Sequence, residues 1–280
     1  MIYTKPPLPF MGNKRNMLKH IKQVLETMRA DGEIDRESIF IDVFGGSGLV
    51  AHNIKQWYPR NQVLWNDYDN YQKRLDHIAQ TESLRAWLYE KAHDIGHQNA
   101  LPKEIKQEIL THIHALETQG EYIDYTTFSS YLLFSGNYAR DFTELSKAAT
   151  FYNQISATRL TAKGYLDGVE RVSLDFIDLL DSYKHIKNKC LILDPPYLQT
   201  QVGNYRAHFS LGQFFNLIER VQKPYLFFGS DRSDIIEAFE YFKRYHKELA
   251  GYTLNSAYLL GGNNTDYIIY PEGRSLFSTA

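Results

Sequence analysis

The feature that most limits the fold of this chain is a short apolar run at residues 39–44 that ends directly in glycines. An almost uninterrupted run of β-branched and aromatic residues is typical of a strand that is buried on both faces of a parallel sheet. A helical pattern follows at residues 49–57, and a second apolar run at residues 63–65 ends at Asn66 and Asp67. Strand, glycine turn, helix and strand in this order predict a βαβ unit.

The same alternation returns in the last third of the chain. Three apolar runs there have the length of buried strands: residues 190–194, 224–229 and 265–270. Ser210 and Gln213 have the spacing of a capping box, which predicts the start of a helix between the first two runs. A further helix is predicted near residues 233–241.

The middle of the chain has a different pattern. Between residues 73 and 160, apolar residues recur at helical spacing, for example behind Pro102, and strands are hard to place. An alternating pattern on both sides of a helical stretch predicts one discontinuous α/β domain. We therefore predict an open, mostly parallel, Rossmann-like sheet formed by residues 1–72 and 161–280, with a mainly helical domain inserted at residues 73–160.

Composition narrows the class of protein. The single cysteine, Cys190, excludes an internal disulfide and fits a reducing compartment. The sequence shows neither a signal-like leader nor an apolar run long enough to cross a bilayer, so we expect a cytoplasmic protein without membrane contact. His93 and His97 are not accompanied by a third ligand at a metal-binding spacing, so no metal site is predicted.

The charge pattern neither requires nor excludes a nucleic-acid partner. A net charge of -2 argues against strong non-specific binding to phosphates. A DNA enzyme, however, needs a positive field only within its cleft. The first 22 residues carry basic side chains and no acid: Lys5, Lys14, Arg15, Lys19 and Lys22.

The turn at residues 45–48 reads Gly-Gly-Ser-Gly. Glycines between a strand and a helix let the backbone pass close to a ligand that lies over the carboxyl end of the sheet. Asp67, at the end of the next strand, can accept hydrogen bonds from the hydroxyls of a ribose. The sequence Gly46-x-Gly48-x-x-Ala51 followed by an acid also satisfies a dinucleotide pattern, so an NAD-dependent oxidoreductase stays open at this point, as does a tight turn without a ligand.

The tetrapeptide Asp194-Pro195-Pro196-Tyr197 directly follows a predicted strand and is the most informative motif. Methylation of an exocyclic amine requires a lone pair that is delocalised into the ring to become localised on nitrogen. A carboxylate and a backbone carbonyl that accept the two N–H bonds favour that geometry and stabilise the developing positive charge. Asp194 supplies the carboxylate, the proline segment supplies the carbonyl in a fixed loop, and Tyr197 offers a face for the base. A dehydrogenase has no need of this element.

With both motifs placed, the chain resembles the Dam-like adenine-N6 DNA methyltransferases of the alpha group of amino-methyltransferases. The resemblance rests on residues 10–14 (FMGNK), 42–48 (DVFGGSG), Asn66-Asp67 and 194–197 (DPPY), and it spans nearly the whole chain outside the helical insert. It implies a methyltransferase sheet with S-adenosyl-L-methionine as the cofactor. The residues that it places at the cofactor are Gly12, Asn13, Lys14, Asp42, Phe44, Gly46, Gly48, Asp67, Asp175 and Phe176.

Fewer motifs match the family in the insert. The resemblance implies that the insert is the target-recognition domain. Asn137 and Arg140 match an Asn-x-x-Arg pattern whose arginine reads a guanine, which suits a guanidinium that faces O6 and N7. Arg15, in the basic N-terminal stretch, is a third predicted DNA contact. The Asn-x-Pro-x-Gly stretch that is common in the family is absent, since residues 149–153 read ATFYN. No particular target sequence is therefore implied.

We predict a site-specific DNA adenine-N6 methyltransferase that acts on a flipped-out adenine in double-stranded DNA. It is expected to be a monomer or weak dimer, and a cognate restriction endonuclease is a candidate partner. The alternatives are an RNA adenine methyltransferase, a catalytically inactive nucleic-acid-binding protein of the same fold and, on the glycine turn alone, an NAD-dependent oxidoreductase. In related enzymes, serine at the position of Asp194 accompanies methyl transfer to cytosine N4, and asparagine accompanies methyl transfer to glutamine side chains. The aspartate therefore favours adenine as the methyl acceptor.

Overall fold

The structure is a computed structural model that describes residues 3–134, 136–196, 209–230, 237–238, 241, 252–258 and 265–271. Its contacts divide the chain into two compact units. The first comprises Met1–Lys5, Asn13–Asp69 and Tyr165–Ala280, and the second comprises Pro6–Gly12 and Asn70–Gly164. Each unit has its own hydrophobic core.

Among its described residues, the first unit is built on a seven-stranded sheet. Its strands are β1 (Ile39–Asp42), β2 (Val63–Asn66), β3 (Glu170–Val172), β4 (Lys189–Leu193), β5 (Tyr225–Ser230), β6 (Tyr252–Tyr258) and β7 (Thr265–Pro271). The order across the sheet is β3-β2-β1-β4-β5-β7-β6. The first five of these run parallel, whereas β7 is antiparallel to β5 and to β6. The predicted open, mostly parallel α/β sheet is confirmed.

The strand order places the carboxyl ends of β1 and β4 side by side. The chain runs outward from β1 to β2 and β3, and then returns to the other side of β1 as β4. In open α/β sheets, ligands bind outside the carboxyl ends of the strands at such a reversal. Asp42, the last residue of β1, is in register with Ile192, and Asp194 follows β4 directly. Both aspartates therefore lie at the point where ligands are expected.

Four helices of the first unit bury apolar side chains. They are α1 (Leu18–Ala30), α2 (Leu49–Trp57), α8 (Phe176–Tyr183) and α9 (Leu211–Ile218). The buried residues Leu18, Ile21 and Leu25 of α1 recur at helical spacing, as an amphipathic helix requires. At the start of α9, Ser210 and Gln213 form the predicted capping box, in which each side chain accepts a hydrogen bond from the other's backbone N–H.

The second unit is mainly helical, as predicted for the insert. Its helices are α3 (Tyr71–Asp76), α4 (Ile78–Ala92), α5 (Lys103–Thr118), α6 (Tyr125–Leu132) and α7 (Phe142–Ser146). An ion pair between half-buried Arg74 and buried Asp124 joins α3 to the start of α6, with Arg74 Nη2 3.1 Å from Asp124 Oδ2. Asp124 also caps α6 by accepting a hydrogen bond from the Thr127 N–H.

Residues Pro6–Gly12 belong to the second unit, although the sequence pattern assigned residues 1–72 to the sheet domain. Two hydrogen bonds tie this segment to Tyr71 of the second unit. The Tyr71 hydroxyl donates to the Leu8 carbonyl at 2.9 Å and accepts from the Leu8 N–H at 3.0 Å. The Phe10 ring packs edge-on against Tyr71 with centroids 5.7 Å apart. That the second unit is the target-recognition domain stays a prediction.

Some elements were not predicted. β3 consists of Glu170, Arg171 and Val172, of which the first two are exposed, so it lacks the apolar pattern of a buried strand. β6 lies at the edge of the sheet and has no sustained alternation. The helix predicted near residues 233–241 falls largely outside the described residues. Within the described part of the chain, none of the helices combines the length and apolar character needed to cross a membrane.

Candidate active site

The predicted catalytic carboxylate is held by a lysine from the N-terminal motif. Asp194 Oδ2 lies 2.5 Å from Lys14 Nζ, and the two side chains are 23% and 10% exposed. The Lys14 ammonium also lies 5.6 Å from the centre of the Phe228 ring on β5. The structure thus brings together two predicted motifs that are 180 residues apart in the chain.

A second carboxylate, Asp42, is electrostatically coupled to this ion pair. Its side chain is buried, and its Oδ2 has no hydrogen-bond partner within the described residues. Burial, and secondarily the negative charge of Asp194, raise the pKa of Asp42 to about 7, against the opposing effects of the Ala51 backbone N–H and of Lys14. Asp42 is therefore a carboxyl group that titrates near neutral pH at the ligand-binding edge of the sheet.

The glycine turn is packed against Trp65 of β2. A Cβ at Gly45 would lie 2.2 Å from Trp65 Cδ1, and one at Gly48 would lie 2.8 Å from Leu166 Cδ2. Gly46 and Gly48 have φ values of 47° and 77°, which strain any residue with a side chain. Packing and backbone conformation thus require glycine here, and the cofactor contacts of Gly46 and Gly48 stay predictions.

Asp67 is completely buried and already has an arginine partner. Its Oδ2 accepts a hydrogen bond from Arg171 Nε at 2.8 Å. Its backbone N–H donates to the Val172 carbonyl at 2.8 Å, and its carbonyl accepts from Ser173 Oγ at 3.2 Å. β3 and the residue that follows it therefore fix the orientation of Asp67. Ribose recognition through Asp67 would require a ribose hydroxyl to join or to displace the partners that Asp67 already has, Arg171 among them.

Three phenylalanine rings lie together in the first unit. The centroid of Phe44 is 5.4 Å from that of Phe176, and Phe209 lies 5.9 Å and 5.8 Å from these two rings. Phe176 and Phe209 are buried, and Phe44 is half-buried. Asp175 caps α8, because its Oδ1 accepts a hydrogen bond from the Ile177 N–H at 2.9 Å. The residues predicted beside the cofactor adenine thus also serve as a helix cap and as core.

The remaining residues of the N-terminal motif are on the surface or partly exposed. Gly12 has a φ of 71° and belongs to the second unit, whereas Asn13 belongs to the first. Asn13 Oδ1 accepts a hydrogen bond from the Arg15 N–H at 3.4 Å, and the Arg15 side chain is exposed. An exposed arginine is compatible with the predicted DNA contact, which stays a prediction.

After Asp194, the chain continues with one buried and one half-buried proline, Pro195 and Pro196. Neither proline has a backbone N–H, so the loop presents carbonyl oxygens without competing donors. The predicted stacking residue Tyr197 lies outside the described residues.

The predicted recognition loop is in the second unit. Ala139 is buried, and its N–H donates to Ser129 Oγ at 2.8 Å. On either side of this anchor, Asn137 and Arg140 are exposed. Phe134, which precedes the loop, is the most exposed of the large apolar side chains in the described part, at 58%. An anchored loop with exposed polar and aromatic side chains fits base contact.

Several of these contacts were not predicted from the sequence. Arg171, Phe209 and Phe134 carry no local sequence signal of their contacts. The contact of Trp65 with the glycine turn could have been predicted. Pairing β1 with β2 in the predicted βαβ unit places Trp65 opposite Asp42, next to that turn. The ion pair between Lys14 and Asp194 depends on the strand order and has no local signal.

Comparison with known proteins identifies the group to which this arrangement belongs. Residues 10–214 match the sequence profile of the family described as D12 class N6 adenine-specific DNA methyltransferase. The chain belongs to this methyltransferase family. The matched region contains the N-terminal motif, the glycine turn, the predicted recognition loop and the predicted catalytic motif. The resemblance inferred from these motifs is confirmed.

The methyltransferase is also similar to a Haemophilus influenzae protein named "Putative methyltransferase". The two are 40% identical over 243 residues, which cover 85% of this chain and 80% of that protein. The similarity therefore extends over most of both chains.

Proposed function

We propose that this methyltransferase transfers the methyl group of S-adenosylmethionine to the N6 amine of adenine in double-stranded DNA. The observation that carries the proposal is the position of Asp194 at the reversal of strand order, beside β1 and its glycine turn, with its carboxylate held by a cationic amine. A carboxylate followed by two prolines at this edge suits an exocyclic amine, as argued from the sequence.

The described residues fit a positively charged, adenosine-containing cofactor. Asp42 and Asp194 bring two carboxylates to the reversal, and the buried Oδ2 of Asp42 is an acceptor for a donor that the described protein does not supply. A buried acceptor gains from an ammonium or N–H group. The pyrophosphate of a dinucleotide would bring negative charge towards the same carboxylates, which weighs against NAD.

The chemistry that the cofactor supplies is an electrophilic methyl group on a sulfonium. Asp194 would accept a hydrogen bond from the adenine amine and stabilise positive charge on nitrogen during transfer. The Pro195 carbonyl would accept the second N–H. Lys14 now occupies an oxygen of Asp194, so the amine of the base would replace the Lys14 ammonium at that oxygen. The amine nitrogen would take the methyl group as the bond of that group to sulfur breaks, which leaves S-adenosylhomocysteine. The methylated nitrogen would then release one proton to solvent.

Recognition of DNA is assigned to the second unit, which we propose as the target-recognition domain. Arg140 would read a guanine edge, and Asn137 would lie in the DNA-contacting loop. Arg15 would contact a phosphate, because it is exposed in a stretch without acids. These roles are supported by the exposure of the three side chains and by the buried anchor at Ala139.

The proposal is tested by incubating the purified protein with S-adenosylmethionine and duplex DNA that lacks methylated adenine. We expect N6-methyladenine in nucleosides from the digested DNA, measured by mass spectrometry. RNA of the same sequence serves as the competing substrate. Modification of RNA alone would replace DNA as the substrate, and methylcytosine alone would contradict the adenine assignment.

Replacing Asp67 with alanine is expected to weaken binding of S-adenosylhomocysteine, because the hydrogen bonds of a carboxylate to a ribose are lost. The expected rise in Kd is roughly 10- to 100-fold. Isothermal titration calorimetry measures it, with Arg171→Gln as the control that removes the other half of the ion pair. An unchanged Kd would contradict direct ribose binding, and an equal loss in both variants would assign the effect to the ion pair.

A further inference from the structure

Asn66, the last residue of β2, links two loops of the first unit through its side chain. Its Nδ2 donates to the Val43 carbonyl at 2.9 Å and to the Leu174 carbonyl at 3.0 Å. Its Oδ1 accepts from the Leu174 N–H at 2.9 Å. The residue is only 2% exposed, so these bonds are shielded from water. Both amide hydrogens and the amide oxygen are thus engaged with backbone.

Each of the three connected points is followed in the chain by predicted cofactor residues: Val43 by Phe44, Leu174 by Asp175 and Phe176, and Asn66 by Asp67. The pairing of β2 with its neighbouring strands does not reach Val43 or Leu174, although the Val43 N–H donates to the Ile192 carbonyl of β4 at 3.0 Å. The register between β1 and β2 ends at Asp42, and that between β2 and β3 ends at Val172. Where the pairing of β2 with β1 and with β3 ends, the side-chain amide of Asn66 supplies hydrogen bonds to the chain on each side of β2.

We propose that Asn66 is a positioning residue that holds the three cofactor-binding loops in one arrangement. The inference rests on the proposed function, because it concerns the same cofactor site. The arrangement requires a side chain with two donors and one acceptor. Aspartate has the same shape but at neutral pH lacks the donors, and its negative charge would face two carbonyl oxygens. Alanine removes all three bonds.

The chain offers a matched control in Asn61, which lies before the opposite end of β2. Asn61 is 3% exposed, and its Nδ2 donates to the carbonyls of Asp35 and Ser38 at 2.9 Å and 2.8 Å. Asn61→Ala therefore removes a comparable pair of buried bonds to backbone, at a distance from the predicted cofactor loops. Loss of general stability and loss of loop positioning can be separated by comparing the two sites.

The experiment measures the Kd of S-adenosylhomocysteine by calorimetry for the wild type, Asn66→Ala, Asn66→Asp and Asn61→Ala, together with thermal stability. We expect the Kd to rise about tenfold or more in both Asn66 variants and to change less than about twofold in Asn61→Ala, although the alanine variants lose similar stability. Hydrogen exchange of residues 170–176 should become faster only in the Asn66 variants, because the Leu174 N–H loses its acceptor or its fixed partner.

Three results of this experiment would overturn the role proposed for Asn66. If the wild type does not bind S-adenosylhomocysteine, the proposed cofactor site fails and the inference fails with it. If the wild type binds and Asn66→Ala binds equally well, the inference alone is overturned. If neither Asn66 variant folds where Asn61→Ala does, Asn66 acts in folding of the sheet, and its assignment to cofactor positioning is likewise overturned.

Discussion

Replacing Asp194 with alanine is expected to lower kcat for methyl transfer by roughly 10³-fold while binding of S-adenosylhomocysteine is largely kept. Removal of one group that stabilises charge in the transition state costs about 3–4 kcal/mol. Asp194 follows β4, whereas most of the predicted cofactor residues follow β1, β2 and β3, so the cofactor loops should survive the substitution. Single-turnover rates with duplex DNA measure the effect on the chemical step.

Two further variants separate charge from hydrogen bonding and from nonspecific effects. Asp194→Asn keeps an acceptor oxygen but loses the negative charge, so a smaller loss of rate is expected. Asp181→Ala is the control, because Asp181 also pairs with a basic side chain, Arg220 at 3.4 Å, but lies half-exposed on α8. A kcat of Asp194→Ala within tenfold of the wild type would refute the role assigned to this carboxylate.

Replacing Asp42 with asparagine is expected to stabilise the protein increasingly as the pH rises. The pKa of Asp42 is raised from 3.8 to about 7, mainly by burial, so the folded state disfavours its ionised form. This cost is absent below pH 3.8, grows as the unfolded chain ionises, and is constant above about pH 7. Asparagine cannot ionise, so the variant avoids a cost on the order of 4 kcal/mol at pH 8.

The free energy of unfolding in urea, measured without cofactor at pH 4.5, 6 and 8, checks this expectation. The advantage of Asp42→Asn should grow from about 1 kcal/mol at the lowest pH to its full value at the highest. Asp124→Asn is the control with the opposite sign, because Asp124 is a buried aspartate that is paired with Arg74. That variant should be destabilised. A pH-independent effect at Asp42 would show that Asp42 ionises normally in the folded protein.

The central strands were predictable because they are buried on both faces. β1, β2 and β4 are short, mostly apolar, almost completely buried and followed by glycine, proline or aspartate, which leaves little choice of structure. β3 could not be predicted, since its exposed Glu170 and Arg171 carry no apolar pattern. A short strand at the side of a sheet forms because backbone groups of β2 are available for pairing, and that is a tertiary effect.

The sequence by itself determined the type and order of the central elements, the helical insert and the motifs that mark this methyltransferase family. It did so because periodicity reports which faces of an element are buried, and because glycines, prolines and caps act over a few residues. The positions of Asp42, Asp67 and Asp194 at strand ends follow from the same local patterns.

Only the tertiary structure decided which of these residues meet. Lys14 and Asp194 are 180 residues apart, and Asp67 and Arg171 are 104 apart. Their contacts depend on β1 lying between β2 and β4, and on β3 lying beside β2. Local periodicity predicts that a strand is buried, but it does not identify the elements that pack against the strand. The raised pKa of Asp42 has the same origin, because burial and the charge of Asp194 are set by elements distant in the chain.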